Sequence, residues 1–257
     1  QDEMLSMGVL QNYNVSLSGG SNDIKYYTSL NRMVDEGALY GTGYDKYGFR
    51  VNTSGRKGVF EFGENFFYTR SSRDNMGSSS WSNFISMPPT IPVYDANNPG
   101  GYGYGSSDRA NTYALNPVAQ ENINESVNDE EYMYGNIYGQ LNLFQDVFKA
   151  KLNVAYKSYY GITNKLRKKG NWTMGQGDDA ASVSSSMAKH HDILIEHTYT
   201  FDKTFGKHDV DAMVGMSYNR FHEETRSATK LDPLVVGDKY ITSISAATGT
   251  TSATGGY

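Results

Sequence analysis

Apolar and polar residues alternate with a period of two over about eight segments of this chain, which is the pattern of β-strands with two unlike faces. Tyr13, Val15 and Leu17 alternate with Asn12, Asn14, Ser16 and Ser18. Ile24, Tyr26, Thr28 and Leu30 alternate with Lys25, Tyr27, Ser29 and Asn31, and Tyr47, Phe49 and Val51 with Lys46, Gly48, Arg50 and Asn52. Phe60, Phe62, Phe66 and Tyr68 share one face, with Glu64 as its exception; Glu61, Gly63, Asn65 and Thr69 share the other, with Phe67 as the misfit. The second half repeats the pattern. Met133, Ile137, Leu141 and Leu143 oppose Tyr132, Tyr134, Asn136, Tyr138 and Gln140. Leu152, Val154 and Tyr156 oppose Lys151, Asn153 and Lys157; Ile193, Ile195, Tyr199 and Phe201 follow with His197 on their side; Val210, Ala212, Val214 and Met216 oppose Asp209, Asp211, Met213 and Ser217.

The connections alternate short and long. Turn residues mark 19–23, 53–58, 145–147 and 202–207, and polar, Gly/Ser/Asn-rich excursions occupy 35–45, 71–130 and 161–191. A soluble sandwich has no reason to keep its short connections on one end and its long ones on the other. A transmembrane barrel does, with short periplasmic turns and long extracellular loops, and a tilted strand crosses a bilayer in roughly ten residues. The segments are long for a sandwich. Charged residues (Arg50, Lys151, Lys157, Asp209, Asp211) sit on the polar face, and aromatics gather near segment ends (Tyr26, Tyr27, Tyr47, Phe67, Tyr68, Tyr132, Tyr134, Tyr159, Tyr160, Tyr218), where interfacial girdles belong. The expected fold is all-β: an antiparallel up-and-down meander of about eight long strands, part of a large transmembrane β-barrel.

Composition adds exclusions. A mean hydropathy of −0.59 and the lack of any run of about 18 apolar residues rule out spanning helices but not a barrel, whose strands face lipid only at alternate positions. The absence of cysteine removes disulfides, thiolate zinc and cysteine nucleophiles. A formal charge of −5 argues against a nucleic-acid partner. The one basic cluster, KLRKK at 165–169, falls in a long excursion and reads as a solvated charge run or an anion contact. The chain opens at Gln1 without a leader sequence, so either a leader and more have been removed or the sequence is internal to a longer one.

No constellation for catalysis emerges, and the expectation is a protein that is not an enzyme, without cofactor or metal. His190-His191-Asp192 is the one metal-like cluster, but neighbouring strand residues point to opposite faces, so the two imidazoles would not share an ion. The carboxylates at 129–131 and 223–224 lie where loops begin or end and form no placed pair. Asp95-Ala96-Asn97-Asn98 lacks the glycine and distal glutamate of a calcium loop, and the alternate glycines of 101–105 lack the Lys-Ser/Thr of a phosphate loop. The excursion 71–130 is the most informative non-strand segment. Its aromatics and prolines are too many for a disordered linker, so it is expected to pack. It offers candidate substrate-binding residues, Trp81, Tyr94, Tyr102 and Tyr104 as stacking faces and Asp95, Asn97 and Arg109 for hydroxyl groups, while the same aromatics could instead contact a partner protein or simply pack the loop on the sheet.

These residues, in order, resemble a known family. QNYNVSLSGGS at 11–21, YYTSLN at 26–31, Asp35-Glu36-Gly37, YGFRVNT at 47–53 and FEFGENFFYTRS at 60–71 resemble the early barrel of SusC/RagA-type TonB-dependent outer-membrane transporters. PPTIPVYDANNPGG at 88–101 with Asn116-Pro117-Val118-Ala119 resembles that family's long loop, and TFGKHDV at 204–210 with Met213-Val214-Gly215 its recurrent turn and next strand. The resemblance implies a plugged barrel of the 22-stranded class in the bacterial outer membrane, importing oligosaccharides or peptides. It further implies a SusD-like surface lipoprotein partner, coupling to TonB through a plug region, and contact with outer-membrane lipid. No TonB box, plug or closing carboxy-terminal strand is found, so residues 1–257 are expected to be part of the barrel wall. From a different class, a self-contained surface adhesin or glycan-binding β domain would require the apolar faces to meet one another. A secreted hydrolase would require a catalytic constellation.

Overall fold

Eight long antiparallel strands follow one another in the computed structural model, which describes residues 3–76, 80–105, 115–170 and 180–256. They are β1 (Val9–Gly20), β2 (Ile24–Glu36), β3 (Gly43–Lys57), β4 (Phe60–Asp74), β5 (Asn124–Leu143), β6 (Phe148–Arg167), β7 (Ser182–Phe205) and β8 (His208–Leu231). A small hairpin, β9 (Val235–Val236) and β10 (Lys239–Tyr240), leads to β11 (Thr251–Gly256), which pairs with β8. The sheet order β1-β2-β3-β4-β5-β6-β7-β8-β11 is an up-and-down meander, as expected, and among the described residues it is open, with β1 and β11 as its edges.

The strands are longer than the sequence pattern suggests. β7 and β8 each hold 24 residues, about 80 Å of extended chain at roughly 3.3 Å per residue. The extra length comes from segments that read as loop. Residues 53–57 pair with 60–64, so the turn expected over 53–58 shrinks to Gly58 and Val59, with Gly58 at φ +62°. Gly55 is a strand residue because the ring of Phe62, its cross-strand partner, lies over it; a Cβ there would come within 2.9 Å of that ring. The turn expected over 202–207 likewise contracts to Gly206 and Lys207. The excursions at 71–130 and 161–191 lose both ends to β4, β5, β6 and β7. Turn-forming residues were overruled because each further ladder position pairs two backbone groups that would otherwise need other partners.

Register sorts the side chains onto two faces. One row runs Tyr26, Thr53, Glu64, Ile137, Val154, Ile195, Tyr218 across β2 to β8. The next runs Leu17, Thr28, Val51, Phe66, Gly135, Tyr156, Ile193, from β1 to β7. Nothing among the described residues forms a second layer over this apolar band: Val15 is 72% exposed, Ile137 62%, Val214 67% and Met216 78%. The apolar stripes therefore do not meet one another as an adhesin-type sandwich would need. Among the described residues, two small clusters of buried apolar residues lie at the long-loop end. Leu166, Val183 and Ala247 pack with Tyr240 and Ile244; Ala119 and Ile123 pack with Tyr102 and Leu115.

The second cluster organises the long excursion, which contains α1 (Ser80–Ser86) and α2 (Pro117–Ile123). Asn116 caps α2, accepting from the backbone N–H groups of Val118 and Ala119 at 3.1 and 3.2 Å, and Pro117 occupies the first turn, where no N–H is needed. Its amide donates to the carbonyls of Val93 and Gly103 at 2.8 and 3.0 Å. At 2% exposure this side chain has its polar atoms committed to holding three loop segments together. Asn83 donates to Gln120 at 2.7 Å, tying α1 to α2. Lys168 at the end of β6 pairs with Glu125 at 2.6 Å and donates to the Asn122 carbonyl, fixing the module to the sheet.

Two outcomes follow from these contacts. Gly63→Val puts a side chain where a Cβ would already lie 2.5 Å from the Tyr138 ring, and is expected to cost about 1–3 kcal/mol by overpacking, read as a lower denaturant midpoint. Asn116→Ala removes a helix cap and two donors to buried carbonyls, an expected local loss of about 2–4 kcal/mol. Limited proteolysis should then cut within 80–105 while the strands stay protected, and Asn116→Asp, which keeps the cap but not the donors, should fall between.

Candidate functional site on the polar face and the long loop

The face opposite the apolar band is mostly polar, interrupted by Phe67, Ala155 and Leu194. Side-chain amides form a chain across four strands: Asn65 donates to Asn136 at 3.1 Å, Asn136 to Asn153 at 3.1 Å, and Asn153 to Glu196 at 3.0 Å. Alternation brings these groups to one face, and register sets Asn65 directly opposite Asn136. On the same face Tyr138 donates to Glu61 at 3.4 Å, and the Lys151 ammonium lies 4.3 Å from the Tyr138 ring centroid. Nearer the long-loop end, Tyr159 stacks on His190 at 4.7 Å and donates to Glu130 at 3.0 Å, while Asn128 donates to the same carboxylate and accepts from Thr163. A hollow of about 440 Å³ beside Tyr159 is lined by hydroxyls and amides, among them Asn128, Thr163, Ser186, Thr225 and Ser227. Such a surface can bind polar ligands by many shared hydrogen bonds.

The sequence-derived candidates occupy different environments. Trp81 lies on α1, 52% exposed, tilted against Phe84 at 5.7 Å. Tyr94 is 55% exposed and bridges to Tyr102, with ring centroids 5.8 Å apart. Partial desolvation, and then the charge of Glu3, raises the Tyr94 phenol above its ordinary value. Asp95 accepts from the backbone N–H and side-chain amide of Asn97, a local turn that engages both residues. Tyr102 packs on the Ala119 and Ile123 cluster, and its hydroxyl accepts from Asn122. Tyr104 is half-buried. Arg109 lies outside the described residues. The loop thus brings Tyr94, Asp95, Asn97 and Tyr102 together, with Trp81 presented separately. Beside them an apolar hollow of about 790 Å³ is lined by Phe84, Pro88, Pro89, Ile91, Pro92 and Val118.

The amide chain and the Tyr159 cluster were not singled out from sequence. The signal was present in the alternation, but which asparagines meet depends on inter-strand register. His190 and His191 point to opposite faces, as expected; His190 stacks on Tyr159, and His191 faces His222 at 5.0 Å. Among the described residues no group of three or more His, Cys, Asp or Glu is arranged to hold a metal ion.

No family model matches the chain. It is 25% identical over 244 residues, 87% of its length, to TonB-dependent receptor P3 of Formosa agariphila, and covers 23% of that receptor. To TonB-dependent receptor P26 of the same organism it is 30% identical over 138 residues, 53% of this chain and 14% of the receptor. The chain therefore spans under a quarter of the length of these curated relatives. A structure of the RagAB peptide transporter superimposes on 99% of the chain with a TM-score of 0.73 at 16% identity, matching 29% of the transporter chain. The RagAB peptide importer in its open-open state matches equally, with a TM-score of 0.73 at 15% identity. By sequence the chain is a relative of TonB-dependent receptors and by fold a counterpart of a RagAB chain, which bears out the SusC/RagA-type resemblance of its motifs.

Proposed function

We propose that these residues form part of the barrel wall of an outer-membrane TonB-dependent transporter that imports oligosaccharides or peptides with a SusD-like surface lipoprotein. The observation that carries this reading is a single sheet whose apolar band is uncovered while its opposite face is lined by hydrogen-bonded amides and charges. In water such a band would associate with itself; against acyl chains it is solvated, and the polar face then borders a wet lumen. The short turns lie on the periplasmic side, and the long excursions, with the projecting ends of β5 to β8, lie outside. Residues 1–257 act as wall and mouth, and energy enters through a TonB-contacting plug elsewhere in the protein. The relatives' names and the RagAB fold support the transporter class. On the long loop, Trp81 and Tyr94 are the exposed faces for cargo or lid contact, with Asp95, Asn97, Tyr102, Tyr104 and Arg109 around them.

The importer reading is tested in cells by deleting the gene: the full-length protein should fractionate with the outer membrane, and its loss should abolish uptake of one class of oligomer in a TonB-dependent way. The wall reading is tested separately. Ile137→Arg places a cation in the middle of the apolar band and should destabilise the folded barrel by about 2–4 kcal/mol. Asn136→Arg, one residue away on the other face, should be tolerated. Heat-modifiable gel mobility of the two variants checks this, and equal behaviour would refute a lipid-facing band.

A further inference from the structure

Four cations stand on aromatic rings along the polar face of β3 to β6. The Arg73 guanidinium lies 5.2 Å from the Tyr44 ring centroid, Arg50 5.1 Å from Phe67, Lys157 5.9 Å from Tyr132, and Lys151 4.3 Å from Tyr138. Phe67 and Tyr132 touch edge to face at 6.1 Å, so Arg50 and Lys157 flank one joined aromatic pair. Register places these groups at three levels. Arg73 is near the long-loop end of β4, Arg50 and Lys157 are midway, and Lys151 is towards the turn end of β6. Successive levels are six residues apart, about 20 Å along a strand. Phe67, the apolar misfit of the polar face, is explained by this arrangement.

Among the described residues none of the four cations forms an ion pair, although carboxylates are within reach of the same wall. Asp192 sits opposite Lys157 in register and does not pair with it. Two carboxylates share this face of β4 and β5, Glu61 in the row of Lys151 and Glu130 between the Arg73 and Arg50 levels, each bonded to a tyrosine hydroxyl, whereas Asp192, Glu196 and Glu223 occupy β7 and β8; the cations outnumber the carboxylates on β3 to β6. The four rings are half-buried, and bonding of their cations to a carboxylate or sulfate is stronger than the ring contact. Each ring remains beside its cation as a flat apolar surface.

We infer that the polar face of β3 to β6 is a binding track for an acidic oligosaccharide, with Arg73, Arg50, Lys157 and Lys151 as successive anion contacts and their rings as stacking platforms. The inference rests on the importer reading and adds to it the charge class of the cargo. The surroundings favour a sugar over a peptide: between the cations lie the amides of Asn65, Asn136 and Asn153, which match hydroxyl groups. The level spacing requires an oligomer, because one residue of cargo cannot reach two levels.

The test uses the full-length protein in detergent micelles and calorimetric titration with hexameric oligogalacturonate, oligoalginate and sulfated carrageenan oligomers, with maltohexaose and hexaglutamate as comparisons. At least one acidic sugar should bind, more weakly as NaCl rises, and at least tenfold more tightly than maltohexaose. Arg50→Gln/Lys157→Gln should weaken it at least tenfold, and Arg50→Lys/Lys157→Arg, with the charges kept, should restore most of the affinity. Unchanged heat-modifiable mobility establishes that each variant is folded. Absence of binding by every acidic sugar, equal binding of maltohexaose, or indifference to the double substitution in folded protein would overturn the proposal. Tighter binding of hexaglutamate would overturn it in favour of an acidic peptide. Each of these results leaves intact an importer reading supported by TonB-dependent uptake.

Discussion

Register is the constraint on which the rest of this structure depends. Side chains alternate with a period of two, so a slip of one residue between any two strands would move Asn65, Asn136 and Asn153 into the apolar band and expose Ile137 and Val154 to the polar side. Both faces oppose such a slip. On one, the band is continuous over successive rows; on the other, the amide chain forms only when each asparagine meets its neighbour. Glycines reinforce the choice locally, because Tyr138 and Phe62 lie across the sheet only where Gly63 and Gly55 leave room. The sequence therefore encodes its pairing three times over, and the wall's chemistry is a consequence of that pairing.

The architecture was legible because the alternation is strong and broken at few positions, and the meander and the two faces' membership follow from it. Strand ends were not legible. The stretch Thr53 to Lys57 has turn composition, yet it pairs fully, since the neighbouring strand supplies partners that composition cannot reveal. The same holds at 124–131 and 182–191, whose polarity reads as loop in isolation. Polar residues on both faces of an extended strand are expected beyond the apolar band, so the lengths of β5 to β8 and their polarity have one origin.

Glu64 remains a departure from the band. It lies in the row with Ile137, Val154 and Ile195, between Phe62 and Phe66 along its own strand. Its cross-strand neighbour on the other side is Thr53, the one hydroxyl in that row apart from the two terminal tyrosines. An acidic side chain on a lipid-facing surface is less costly than a basic one, and here the polar neighbour is placed beside it by register. Phe67 is the converse case on the opposite face, where Arg50 and Tyr132 give an apolar ring a function in a polar setting. Both exceptions are visible in sequence, but only the pairing says which neighbour accommodates each.

The loop module is ordered by a different principle from the wall. Its apolar cluster is small, so burial alone would not offset the entropy of fixing a connection of this length. Polar bonds that bridge segments distant in sequence do much of the work: Asn116 to Val93 and Gly103, Asn83 to Gln120, and Tyr40 through Asn122 to Tyr102. That explains why the residue types suited to binding in this loop divided as they did. Asp95, Asn97 and Tyr102 hold the loop's shape, whereas Trp81 and Tyr94 keep more than half their surface free. A platform whose supports are internally satisfied presents its free rings without first having to order them, which reduces the entropic cost of binding. On the proposed reading, the polar residues that hold the loop would serve recognition by positioning the rings, and the rings would make the contact.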